Sequence, residues 1–130
     1  MRILIAEDDL TSRLFMKKYL SEYGTCDVVM NGMEAIDLVM NSIEMKKPYD
    51  LICLDIMMPK VDGIKALKII RKIERTSLDE GFEPAKIIMT TALNDKETVK
   101  EAYECGCEAY AWKPIDIEKF NEVLKKLCLI

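Results

Sequence analysis

The sequence predicts an α/β fold in which five parallel strands alternate with five helices. Short apolar runs alternate along the chain with longer segments in which apolar residues recur at helical spacing. The run at residues 51–54 is apolar throughout, as expected of a strand covered on both faces by helices. Right-handed crossovers between parallel strands leave few possible strand orders. We therefore expect a doubly wound (βα)5 sheet in the flavodoxin-like order 2-1-3-4-5.

The elements follow one another in a regular order. Strands are predicted at residues 3–6, 26–30, 51–54, 86–90 and 109–112, and helices at about 11–23 and around 99–103. The other three helices are predicted from their apolar residues. The second has Ile36, Val39, Met40 and Ile43 on one face, the third contains Leu67, Ile70 and Ile73, and the last places Phe120, Val123, Leu124 and Leu127 inward. Residues 75–84 are polar and are expected to form an extended loop.

Local signals mark the ends of helices. Gly24 and Gly106 stand where a residue following a helix C-terminus is expected, and Asn94 with Glu97 resembles a capping pair for the fourth helix.

Composition limits the possible classes of protein. A chain of 130 residues that is 50% hydrophobic can bury one core but is too short for two ordinary domains, so residues 1–130 are expected to form one domain. Arg2 is followed by only four apolar residues before Glu7, and no apolar run approaches the length of a membrane span. We expect a soluble, cytoplasmic protein that does not bind membranes.

Charge and cysteine content exclude further classes. The formal net charge is −4 and the lysines are dispersed, so direct nucleic-acid binding is not expected. Five cysteines lie mostly in or beside apolar segments, where reduced cysteine packs as a small hydrophobe. Cys105 and Cys107 could begin a zinc site, but the chain has no histidine and no second close cysteine pair, so packing is the favoured interpretation.

Polar residues follow four of the predicted strands. They are Glu7-Asp8-Asp9 after the first, Asp55 after the third, Thr91 after the fourth and Lys113 after the fifth. The carboxyl ends of parallel strands form one edge of a doubly wound sheet, and ligands bind beyond that edge. In the predicted strand order the first and third strands are neighbours, about 4.8 Å apart. The carboxylates of Glu7, Asp8 and Asp55 would then repel one another unless a cation lay between them. Hard oxygen ligands of this kind suit Mg²⁺.

This combination is suited to phosphoryl transfer. Beside a bound metal, a carboxylate can act as a nucleophile toward phosphorus. Lys113 would supply positive charge and Thr91 a hydroxyl donor for the phosphoryl oxygens.

The motifs resemble those of the receiver domains of two-component response regulators over nearly the full length. They are Glu7-Asp8-Asp9, the run from Leu54 to Pro59 with Asp62-Gly63, Thr91-Ala92, and Tyr110 ahead of Lys113-Pro114. The resemblance implies that Asp55 is the phospho-acceptor and that Thr91 and Lys113 bind the phosphoryl oxygens. It also implies that Mg²⁺ is held by Glu7, Asp8, Asp55 and the backbone carbonyl of Met57.

The resemblance further implies a switch and partners. Thr91 would move toward the phosphoryl group and Tyr110 would change rotamer, while the Lys113–Pro114 bond is expected to be cis. The donor would be a sensor histidine kinase or a histidine phosphotransfer protein, and the output a downstream protein target. A phosphorylation-dependent dimer is possible within this family. Such a domain assists its own phosphorylation but turns over no conventional substrate.

Simpler interpretations exist for each residue. Glu7, Asp8 and Asp9 could only begin a helix, and Asp55 could be a turn residue. Lys113 could be a surface lysine and Thr91 a strand-end hydroxyl. Tyr110 and Trp112 alternate with alanines and so share one face of their strand, either packed beneath a helix or forming an output face for a partner.

Two rival functions remain open. A phosphatase of the haloacid dehalogenase type also uses a strand-end aspartate, but requires a second aspartate where this chain has Met57. A phosphate-independent interaction module of the same fold is the other rival. Met57 and Leu93 lie two residues beyond Asp55 and Thr91 and offer no side-chain group that could orient a hydrolytic water.

Overall fold

A computed structural model of the chain describes residues 1–77 and 83–130. The strands are Arg2–Ala6 (β1), Thr25–Val29 (β2), Leu51–Leu54 (β3), Lys86–Thr91 (β4) and Ala109–Trp112 (β5). The helices are Leu10–Leu20 (α1), Gly32–Glu44 (α2), Gly63–Ser77 (α3), Lys96–Glu104 (α4) and Ile117–Lys126 (α5).

All strand pairs are parallel and their order is β2-β1-β3-β4-β5, which confirms the predicted flavodoxin-like sheet. Strand β1 lies inside the sheet, with β2 on one side of it and β3 on the other. The strand order therefore reverses between β1 and β3, where Ala6 lies opposite Leu54. This reversal is the place where such sheets bind ligands.

The sheet separates two apolar cores. Side chains alternate across a strand, so Leu4 and Ala6 of β1 pack with residues of α2, α3 and α4, while Ile3 and Ile5 pack with residues of α1 and α5. Every residue of β3 is buried. Helices on both faces thus explain why the central strands are apolar at every position.

Helix starts are fixed by side-chain caps. Asp9 begins α1 by accepting a hydrogen bond from Ser12 N at 2.9 Å. The prediction that Asn94 caps the fourth helix is wrong, because Asp95 accepts from Thr98 N at 3.0 Å and α4 begins at Lys96. The cap lies one residue later than the sequence signal indicated.

The two glycines have different roles. Gly106 has φ 106° and directly follows the C-cap of α4, as predicted. The prediction for Gly24 is wrong, because α1 is capped by Ser21 three residues earlier. A Cβ on Gly24 would lie 2.1 Å from Met1 O, so glycine there permits the close approach of the N-terminal segment to the start of β2.

The predicted loop at 75–84 is partly wrong. Helix α3 continues to Ser77, since the Glu74 side chain is buried and pairs with Arg71 one helical turn earlier. Residues 78–82 of that predicted loop lie outside the described residues. Met40 was predicted to share one face of α2 with Ile36 and Val39, but those two are buried whereas Met40 is exposed, because it lies at the edge of the apolar stripe.

Two further expectations concern the cysteines and the helices. Cys53 and Cys107 are buried and pack as small hydrophobes, whereas Cys128 is exposed. Among the helices of residues 1–77 and 83–130, none combines the length and apolar character needed to cross a membrane.

Candidate functional site

The carboxylates meet where β1 and β3 end. Asp55 N donates to Ala6 O at 3.0 Å and extends the pairing of β1 with β3 by one residue. One carboxylate oxygen each from Glu7, Asp8 and Asp55 lies within 4.8 Å of the others. The structure therefore brings together the three acidic residues predicted to form the metal site.

The three acidic residues differ in exposure. The Glu7 side chain is 0% exposed and Asp55 is 5% exposed, while Asp8 faces solvent. Burial raises the pKa of Glu7 to about 7, and the neighbouring Asp55 charge adds to this increase although Lys113 opposes it. An acidic residue with so high a pKa at a strand end is typical of a functional site.

Lys113 provides the cation of the site. It follows β5, and its Nζ lies 2.6 Å from Glu7 Oε2 and 3.0 Å from Asp55 Oδ2. Burial lowers the pKa of Lys113, but its hydrogen bonds to Glu7 and Asp55 outweigh that effect and leave the pKa above its ordinary value. The Lys113–Pro114 peptide bond is cis, as the resemblance implied.

Thr91 and Tyr110 are joined through one intervening residue. Thr91 is fully buried at the end of β4, and its Oγ1 accepts a hydrogen bond from Leu93 N at 3.3 Å. The Tyr110 hydroxyl donates to Leu93 O at 2.5 Å, and burial raises the pKa of that hydroxyl to about 12. The β4–α4 connection therefore links the two residues predicted to act in the switch.

The aromatic residues of β5 share one face, as predicted. The ring centroids of Tyr110 and Trp112 are 5.8 Å apart. Tyr110 is half-buried, whereas 52% of Trp112 is exposed. Simple packing beneath a helix therefore does not describe Trp112.

Met57 lies beside Asp55. Its backbone N–H donates to Asp55 Oδ1 at 3.3 Å, and its side chain is 62% exposed. A thioether is not a hard oxygen donor, so only the backbone carbonyl of Met57 could serve a Mg²⁺ site.

The residues present fit a divalent cation. Three carboxylates, from Glu7, Asp8 and Asp55, lie close together, whereas Lys113 supplies a single positive charge at 2.6 Å from Glu7 Oε2 and 3.0 Å from Asp55 Oδ2. Carboxylates at this separation repel one another unless further positive charge lies beside them. Their oxygens form a set of hard donors, which suits Mg²⁺.

One supporting residue, Arg13, was not found from the sequence. Arg13 of α1 donates from Nη1 to Glu7 O at 3.1 Å and to Asp8 O at 3.2 Å, which holds the acidic segment in place. Asp9 is the helix cap and not part of the acidic group, so the simpler interpretation of the acidic run is right for this residue. The spacing of four between Asp9 and Arg13 was the available signal, since it places the arginine one turn into α1.

Comparison with known proteins defines the family. The model of the response regulator receiver domain matches residues 3–125, so the chain belongs to this family. It functions as a receiver domain of two-component and phosphorelay systems, as predicted. Receiver domains are phospho-acceptors and not conventional enzymes, and they bind Mg²⁺ at an acidic pocket. Membership favours this function over that of a haloacid dehalogenase-type phosphatase.

Individual relatives agree. The chemotaxis protein CheY of Bacillus subtilis is 31% identical over 130 residues, which cover 96% of this chain and 95% of CheY. The osmosensing histidine protein kinase SLN1 of Saccharomyces cerevisiae is 31% identical over 129 residues. That match covers 98% of this chain but only 10% of SLN1, so the chain spans about a tenth of that relative.

A solved structure of a CheY protein has the same fold. It is the CheX–CheY–BeF3–Mg²⁺ complex from Borrelia burgdorferi, with 27% identity and a TM-score of 0.81. The match covers 98% of this chain and 89% of that chain.

Proposed function

We propose that Asp55 accepts a phosphoryl group from a phosphohistidine of a partner protein. The observation that carries this proposal is the position of the Asp55 carboxylate, which lies 3.0 Å from the Lys113 amino group and within 4.8 Å of the Glu7 and Asp8 carboxylates, at the edge where the strand order reverses. A carboxylate held there beside a fixed cation is suited to attack phosphorus.

The step proceeds by displacement at phosphorus. An Asp55 carboxylate oxygen forms the new O–P bond while the P–N bond of the phosphohistidine breaks. The electron pair of that bond stays on the imidazole nitrogen, which then takes up a proton from solvent. Lys113 and the hydroxyl of Thr91 stabilise the charge on the phosphoryl oxygens as it is transferred.

Mg²⁺ is the cofactor we propose for this site. Glu7, Asp8 and Asp55 would hold it together with the backbone carbonyl of Met57. When bound, it supplies positive charge that offsets the repulsion between the carboxylates and the incoming phosphoryl oxygens. The presence of Mg²⁺ in the Borrelia CheY complex supports this assignment.

The proposed partners follow from the same chemistry. The donor is a sensor histidine kinase or a histidine phosphotransfer protein, consistent with the similarity to SLN1, itself a histidine kinase. The output passes to a downstream protein, with Tyr110 and Trp112 on the face that changes. Four expectations remain predictions. They are a single domain over residues 1–130, a cytoplasmic location, the lack of nucleic-acid or membrane binding, and a phosphorylation-dependent dimer.

Chemical phosphorylation tests the proposal. With acetyl phosphate and Mg²⁺, the intact mass should increase by one phosphoryl group that survives acid and is released by alkali. Asp55→Asn should abolish the increase, whereas the exposed Asp37→Asn on α2 should leave it unchanged. Labelling that persists in Asp55→Asn would place the acceptor elsewhere, and no labelling of the unmodified protein would favour the phosphate-independent module.

A further inference from the structure

A groove lies between the segment that follows β3 and helix α4. Its volume is about 560 Å³. The floor is apolar: Ile56, Met58 and Ile64 are buried beneath it, and the side chain of Met57 is 62% exposed at its edge. Leu93 completes the floor on the side of the β4–α4 connection. We call this feature the α4 groove.

The rim of the α4 groove is acidic. Its charged lining residues are Asp62, Asp95, Glu97 and Glu101, and no lysine or arginine lines it. Asp62 and Asp95 are held in place, since they accept hydrogen bonds from Lys65 N and Thr98 N, both at 3.0 Å. An apolar floor with fixed carboxylates around it is a surface of defined chemistry.

Glu97 and Glu101 add charge that the fold does not compensate. They are spaced four residues apart on α4 and so share one helix face. Within residues 1–77 and 83–130 neither forms an ion pair, although Lys100 and Glu104 of the same helix pair with each other. Both carboxylates are therefore available to an oppositely charged ligand.

We propose that the α4 groove docks a basic amphipathic segment of a partner protein, with lysine or arginine side chains flanking apolar ones. Charge complementarity selects the basic character, and the apolar floor requires side chains that a simple cation lacks. The flexible thioether of Met57 can adapt to the inserted apolar group. A second copy of this chain fits less well, because its net charge is −4.

Binding of designed peptides tests the proposal directly. The probe is a fluorescein-labelled peptide with leucine and lysine at helical spacing, and its two controls carry glutamine for lysine or serine for leucine. Fluorescence anisotropy should show binding of the Leu/Lys peptide and much weaker binding of both controls. The same affinity is expected with Asp55→Asn, because docking does not depend on phosphorylation. Failure of Asp55 as acceptor is therefore distinguishable from failure of the groove.

Matched variants locate the binding. Glu97→Gln with Glu101→Gln should weaken the Leu/Lys peptide about tenfold, since two partly exposed ion pairs are lost. The control, Glu118→Gln with Glu122→Gln, makes the same charge change on α5 and should leave the affinity unchanged. Amide NMR shifts on binding should concentrate at Met58, Leu93 and Thr98. Circular dichroism melts verify that both variants fold.

Several results would overturn the proposal. An equal loss of affinity in both double variants would indicate general charge attraction. If the glutamine peptide bound as tightly as the Leu/Lys peptide, or if the Leu/Lys peptide did not bind, charge complementarity between the acidic rim and a basic segment would be contradicted. Self-association in sedimentation velocity that disappears in the Glu97/Glu101 variant would assign the groove to a second copy of the chain.

Discussion

Lys113 and Glu7 form the tightest ion pair of the site, with 2.6 Å between Nζ and Oε2. Because the same amino group lies 3.0 Å from Asp55 Oδ2, one cation serves two buried carboxylates. The site thus has less positive than negative charge. This imbalance has consequences for stability, for metal binding and for the response to pH.

Removing the lysine should destabilise the protein. Lys113→Met leaves Glu7 and Asp55 buried without their cation, and we expect the metal-free protein to lose about 2 kcal/mol in the free energy of unfolding. Urea denaturation measures the loss. Mg²⁺ should restore more stability to this variant than to the unmodified protein. The exposed Lys119→Met is the control, and an effect no larger than that of the control would contradict the role of Lys113.

Removing one carboxylate should have the opposite effect. Asp8→Asn relieves repulsion within the empty acidic group, so the metal-free protein should melt at a higher temperature. The stabilisation by Mg²⁺ should decrease in the same variant, because one ligand is lost. Thermal melts with and without Mg²⁺ measure both effects, with Asp37→Asn as the control. Unchanged stabilisation by Mg²⁺ would rule out direct ligation by Asp8.

Glu7 should make stability depend on pH in the absence of metal. Its pKa in the folded protein is about 7, above the model-compound value of 4.5, so folding takes up a proton between these values. Stability is therefore highest below about pH 4.5 for this group and is lost as the pH rises through 7. The slope is at most about 1.4 kcal/mol per pH unit.

Urea denaturation in EDTA between pH 5 and pH 8 measures this dependence. The unmodified protein should lose stability relative to Glu7→Gln as the pH rises through this interval. The exposed Glu44→Gln is the control, and its free energy of unfolding should change with pH as that of the unmodified protein does. If the stability of Glu7→Gln also followed that of the unmodified protein, Glu7 would not titrate in this range.

The fluorescence of Trp112 should report the switch. Its ring lies 5.8 Å from that of Tyr110, whose hydroxyl is bonded to Leu93 O in the β4–α4 connection. A change at Thr91 would disturb this connection and hence the surroundings of both rings. We expect a change in emission with Mg²⁺ and beryllofluoride, none in Asp55→Asn and a smaller one in Thr91→Ala. Flat emission despite binding measured by calorimetry would make Trp112 a passive residue.

The sequence predicted the sheet order and the members of the acidic group because both follow from the alternation of strands and helices along the chain. Apolar runs that alternate with helical periods leave few topologies, and parallel strands bring Glu7 and Asp55 to one edge. Exact helix ends could not be predicted, since Asn94 and Asp95 are both good caps and the sequence pattern does not distinguish them. The role of Arg13 was not predicted, because its partners are backbone carbonyls and its spacing of four from Asp9 is a weak signal by itself.

The α4 groove could not be predicted from the sequence either. Its floor combines residues from the end of β3 to the first turn of α3 with Leu93 after β4, and its rim comes from Asp62 before α3 and from the start and body of α4. Each residue alone has an ordinary interpretation, as a core residue or as a cap. Only the three-dimensional arrangement shows that their acidic and apolar groups face one space.

The central claim is that Asp55 carries the phosphoryl group, and borohydride reduction tests it most directly. Reduction of an aspartyl phosphate converts that residue to homoserine, which tandem mass spectrometry locates within the chain. After treatment with acetyl phosphate and Mg²⁺, we expect homoserine at position 55 and no conversion in EDTA. Homoserine at position 8, 9 or 62, or no conversion of a protein whose mass shows the added phosphoryl group, would contradict the assignment of Asp55.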